Sequence, residues 1–211
     1  MKALTAFLFL ALILASGCVH GINGPIVVGD NITRAGGIHT VNGSVSIGAD
    51  CYIKGGVNTV NGSIHVGKAS EVGTLESING GITLAQDVRV DGDVKSINGS
   101  VTCGKNVLIN GDVNTVNGRI QLTQTTVTKN IETFNGDIIL AETSTVSGDI
   151  IVGRTGRSNN RQTITIRIRD GSVVKGDIEV KTDQNKVQVY LSGGGKVLGE
   201  IRGAEIMEQR K

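Results

Sequence analysis

Thr40-Val-Asn-Gly-Ser-Val-Ser-Ile47 recurs as Thr59-Val-Asn-Gly-Ser-Ile-His-Val66, Ser77-Ile-Asn-Gly-Gly-Ile-Thr-Leu84 and Ser96-Ile-Asn-Gly-Ser-Val-Thr-Cys103. Copies at 115–122 and 133–140 keep the same three apolar offsets. The Asn-Gly pair inside it occurs seven times, at Asn23, Asn42, Asn61, Asn79, Asn98, Asn117 and Asn135, at successive intervals of 19, 19, 18, 19, 19 and 18 residues. A period near 20 is too short for an independent domain and marks one small unit stacked along an axis, a solenoid.

After each Asn-Gly the residues alternate apolar and polar, as in Val45-Ser-Ile47 and Ile120-Gln-Leu122, the period of a strand with one buried face. A second short strand follows, at Cys51-Tyr-Ile53, Val88-Arg-Val90 and Val107-Leu-Ile109. A corner comes next, written Gly92-Asp-Val94, Gly111-Asp-Val113, Gly148-Asp-Ile150, Gly176-Asp-Ile178 and Gly199-Glu-Ile201. Three strands and three bends per unit describe one rung of a parallel β-helix. The chain reads as an all-β, single-stranded β-solenoid of about nine rungs, with longer rungs after Asn135. Mixed 18- and 19-residue steps with insertions favour a right-handed coil.

The recurring residue types have physical reasons. Glycine at the corners is expected to supply positive φ angles. Stacked asparagines would lie about 4.8 Å apart, close enough for each amide to donate to the next as a ladder. The Thr or Ser two positions earlier would form a parallel hydroxyl column. About six apolar side chains per rung are expected in the core, and a lone rung cannot fold, so neighbours must fold together. Three aromatic residues after the leader, Tyr52, Phe134 and Tyr190, agree with a narrow aliphatic interior.

Met1-Lys2 followed by an apolar run from Ala3 to Leu14 has the layout of a secretory signal and is too short to span a bilayer comfortably. Ala15-Ser-Gly-Cys18 resembles the lipobox of bacterial lipoproteins, with Ala15 where leucine is more usual. That resemblance implies a signal peptide over 1–17, acylation of Cys18, and a β-helix domain over 18–203 before a charged tail at 204–211. Val19, in place of an Asp after the cysteine, implies sorting to the outer membrane, facing either the periplasm or the cell surface. The tail is expected to cover the open last rung.

Other candidate sites are weaker. Cys51 and Cys103 fall about three rungs apart on different strands, beyond disulfide reach, and read as buried small apolar residues. His20, His39 and His65 have no metal-ligand spacing and are expected to form no site. Asp93, Asp112, Asp149, Asp177 and Glu200 recur at the corner; calcium between stacked carboxylates competes there with simple capping of local amides. The insertion Arg154-Thr-Gly-Arg-Ser-Asn-Asn-Arg161 carries Arg154, Arg157 and Arg161, an interaction loop if it meets an anionic surface. No cofactor is indicated, and a net charge of +2 gives no electrostatic case for nucleic acid.

The Thr-Val-Asn-Gly-Ser rung with its Gly-Asp-Val corner, over residues 22–202, resembles a bacterial domain-of-unknown-function family described as candidate adhesins, found in lipoproteins and envelope proteins. More distantly it resembles the polymer-forming bactofilins. What this resemblance implies is a β-helix of envelope function with no established chemistry; since no polar constellation is evident in the sequence, the leading expectation is a non-catalytic, lipid-anchored envelope protein presenting a stiff surface for adhesion or scaffolding, with an envelope polysaccharide or a protein as its partner. End-to-end polymerisation is the bactofilin-like alternative. A polysaccharide-active β-helix enzyme is the third reading, disfavoured because the charges lie in columns instead of clusters.

Overall fold

The computed structural model describes residues 17–153, 162–182 and 185–208. All regular structure among them is strand, arranged as three parallel sheets. The first sheet has 10 strands, beginning with Val19–Asn23, Ile38–Asn42 and Val57–Thr59. The second, also of 10, holds the strands that follow each Asn-Gly, such as Val45–Ile47 and Ile64–Val66. The third, of 9, holds the shorter strands such as Tyr52–Ile53 and Val107–Ile109. Each strand pairs with its counterparts one coil before and after, so the chain is a β-solenoid of about nine turns. Nine steps of about 4.8 Å make the stack about 43 Å long.

Register follows the repeat residue for residue. Leu75 lies over Val57 and under Val94, and Ser77 lies between Thr59 and Ser96. A coil turns up to five apolar side chains inward, for example Leu75, Ile82, Leu84, Val88 and Val90, all at most 1% exposed, and in other coils Ser70, Thr125 or Ser144 takes the place of Val88. The sixth apolar position, just before the Asn, points out instead: Val41, Ile78 and Ile97 are 44%, 41% and 43% exposed. The hydroxyl residue just before it points inward, so strand alternation turns this side chain out, and the expected six becomes at most five.

The glycines also play a different part from the one expected. Of those in the Asn-Gly pairs, Gly24 alone has positive φ, and the glycines of the Gly-Asp corners have none. A methyl group on Gly62, Gly80, Gly99 or Gly118 would instead collide with the carbonyl of the glycine one coil below. Close approach of stacked backbone therefore demands glycine there. Positive φ falls at another corner, on Asn31, Asp50, Ala69, Asp87, Asn106, Gln124 and Thr143.

Beyond Asn135 the coils widen. Thr163–Ile168 pairs Ile166 with Ile138, so residues 163–165 run past the start of the strand Ile138–Ala141 beneath them. The stack also runs past residue 203. Glu205–Glu208 adds a final strand to the second sheet, registered on Gln188 to Leu191, so this part of the tail joins the solenoid instead of folding over its end.

Candidate functional site

Cys18 is exposed and directly precedes the first strand, whose Val19 N–H donates to the Gly37 carbonyl at 3.0 Å. No tether separates it from the first coil. Residues 1–16, and Arg154, Arg157 and Arg161 of the insertion, lie outside the described residues.

The asparagines form the expected ladder, which runs in one direction. Each Nδ2 donates to the Oδ1 one coil earlier: Asn42 to Asn23 at 2.9 Å, Asn61 to Asn42 at 2.8 Å, Asn79 to Asn61 at 2.8 Å, Asn98 to Asn79 at 2.9 Å, Asn117 to Asn98 at 2.8 Å and Asn135 to Asn117 at 2.9 Å. Asn185 then donates to Asn135 at 3.3 Å, an eighth member that the repeat spacing does not announce because it arrives from an insertion. An amide has two N–H groups and two acceptor lone pairs, so interior members keep one of each for a ligand. The hydroxyl column lies inside the ladder, bonded mainly to backbone: Thr59, Ser77 and Ser96 donate to the carbonyls of Gly43, Gly62 and Gly80 at 2.9, 2.9 and 3.0 Å.

The acidic corner column caps backbone between coils. Oδ1 of Asp93 accepts the Asp112 N–H at 3.0 Å, Asp112 that of Asn130 at 2.9 Å, Asp149 that of Asp177 at 2.8 Å and Asp177 that of Glu200 at 2.8 Å. Each amide lies one coil on, so the capping is not local. The Lys95 ammonium, 2.8 Å away, and the Asp112 amide hold the Asp93 carboxyl below the usual carboxylate range. Cys103 sits in an apolar column, where burial pushes its thiol up to about 12. Cys51 shares a column with Ser70, Thr125 and Ser144 as well as Val88 and Val107; its Sγ lies 3.1 Å from the Gly29 carbonyl, as Ser70 Oγ lies 3.0 Å from that of Gly48. Two histidines do meet: His20 and His39 stack with ring centroids 5.2 Å apart, while His65 stands exposed on another sheet.

Beside the overhang of Thr163–Ile168 lies a polar concavity of about 680 Å³. Asn117 and Asn135 of the ladder, Arg119, Gln121, Asp137 and Gln162 line it. Arg119 lies 3.7 Å from Asp137, whose Oδ1 also accepts the Thr165 N–H at 2.9 Å. Amides beside a guanidinium–carboxylate pair suit a ligand rich in hydroxyl groups. Sequence reading missed this recess because it depends on how far one strand overhangs another. No family model, no curated protein and no solved structure matches this chain.

Proposed function

We propose that the protein is a non-catalytic, lipid-anchored component of the bacterial envelope, in the outer membrane, that holds a stiff β-solenoid against the membrane for adhesion or scaffolding. The observation that carries this is the place of Cys18: exposed, preceded in the sequence by an apolar run with the layout of a secretory signal, and joined without a linker to the first strand. A lipid there would fix the orientation of the first coil and hence of the whole stack. The polar recess, about five coils or 24 Å along the axis, is where an envelope polysaccharide would be held. The resemblance to adhesin-like lipoproteins agrees with this reading.

Metabolic labelling of the full chain with radioactive palmitate in a Gram-negative host tests it. The expected result is label on the processed form, recovered with outer membranes, with both label and membrane recovery lost in Cys18→Ser. Label retained by Cys18→Ser, or a processed wild-type protein that is soluble and unlabelled, would overturn the reading.

A further inference from the structure

Two outward columns run side by side along the first sheet. One is apolar: Val41, Val60, Ile78, Ile97, Val116 and Phe134, each one coil above the last. Beside it, in register, stand His39, Asn58, Glu76, Lys95, Asn114 and Glu132. Over the first coils the two columns flank an open trough walled by Ile22, Val41, Val60 and Ile78 on one side and His20 and His39 on the other. A row of aliphatic side chains on an otherwise polar surface marks an interaction face.

The order of the second column says what covers it. Reversed about a point between Glu76 and Lys95, it sets Glu76 against Lys95, Asn58 against Asn114 and His39 against Glu132. The same reversal sets Ile78 against Ile97, Val60 against Val116, and the half-buried Phe134, whose ring lies over Gly153 of its own chain, against Val41. Moving the centre by half a coil would place Glu76 against Glu76 or Lys95 against Lys95. The corner column is also compatible, because Asp93 and Asp112 fall opposite Thr74 and Gly56. A two-fold axis parallel to the strands performs this reversal and makes an isologous interface.

We propose that this face binds a second copy of the chain, with the two solenoids antiparallel and the axis between the coils of Glu76 and Lys95. The contact measures roughly 30 Å by 10 Å, roughly 600 Å² over both copies and below the size of a standard specific interface, so a weak, transient dimer dissociating above the micromolar range is expected. The two Cys18 residues then lie about seven coils, or 34 Å, apart along the axis. The inference does not depend on lipidation, and its test uses protein without lipid.

The probe is the chain from Gly17 to Lys211 carrying Cys18→Ser, which retains every strand; Cys51 and Cys103 are buried and do not compete for oxidation. Val60→Cys and Val116→Cys are made in separate chains, mixed and oxidised mildly. The expected product is a disulfide-linked pair containing one of each, with no product from either alone, since like residues lie three coils or about 14 Å apart. Glu76→Lys, which leaves the Lys95–Asp93 pair in place, should weaken dimerisation in sedimentation at least tenfold, and adding Lys95→Glu should restore it. A chain that stays monomeric at high concentration, links Val60→Cys to itself, or gains nothing from the charge exchange overturns the proposal.

Discussion

The Nδ2 of Asn79 donates to the Oδ1 of Asn61 over 2.8 Å, and each ladder bond from Asn42 to Asn135 points the same way, toward the N-terminus. The ladder therefore has an end that only accepts, Asn23, and interior members that must also donate.

This direction separates two chemically identical substitutions. Asn79→Asp keeps the acceptor for Asn98 but sets an oxygen in place of Nδ2 against the Oδ1 of Asn61, so it should cost about 1–3 kcal/mol, the scale of an unmet hydrogen bond. Asn23→Asp keeps the bond it makes in the ladder, as a charge-assisted acceptor, and should change stability by less than about 0.5 kcal/mol. Urea unfolding of both variants checks the difference; equal losses would show that ladder direction has no energetic content.

Backbone contact and backbone twist make opposite demands on two small residues. Gly99→Ala drives a methyl group into the Gly80 carbonyl and should cost about 2–3 kcal/mol, in the range of overpacking. Ala69, at φ 54°, is an alanine in the left-handed region, and Ala69→Gly should stabilise by about 1 kcal/mol. Thermal melting should move down for the first and up for the second.

The two buried thiols should tolerate serine unequally. Cys51→Ser places a hydroxyl where Ser70 and Ser144 already donate to carbonyls, so its effect should stay within about 0.5 kcal/mol. Cys103→Ser puts a hydroxyl among apolar side chains, costing about 1–3 kcal/mol. With its thiol pushed up to about 12, Cys103 should react with a thiol reagent at neutral pH only as fast as the protein opens.

Acid sensitivity follows from Asp93. Its carboxyl titrates below the ordinary value of 3.8 in the folded protein, because of Lys95 first and the Asp112 amide second. The unfolded chain then binds the proton more readily, so this stabilisation is complete above pH 3.8 and is lost as pH falls through the depressed value. Asp93→Asn should be less stable than wild type near pH 6, and the gap should close as pH falls below 3.8; a constant gap would refute the assignment.

The repeat made the three-sheet stack, the asparagine ladder and the burial of Cys51 and Cys103 readable in advance, because side chains one period apart must overlie one another. Residue type alone does not tell side-chain direction: Val41 and Ile78 have the same residue types as the core, but each follows a buried hydroxyl in the strand's alternation and so points outward. Glycine permits positive φ, yet along the repeat asparagine, aspartate and even Ala69 adopt it, while Gly62, Gly80, Gly99 and Gly118 answer to crowding. The recess beside Asn117 and Asn135 arises from the relative lengths of Thr163–Ile168 and Ile138–Ala141, which an irregular insertion hides from any repeat.

Direct overlay of successive coils is the claim on which the ladder, the recess and the dimer face all stand. His65 and Arg167 lie in one outward column, five coils apart through Thr83, Thr102, Gln121 and Ile139, although 102 residues separate them in sequence. Double electron–electron resonance between spin labels at His65→Cys and Arg167→Cys, in the Cys18→Ser chain diluted with unlabelled protein, measures that spacing. A narrow distribution centred near 24 Å, five steps of about 4.8 Å, is the expected result. A broad distribution, or one centred far beyond that distance, would contradict the stacked solenoid.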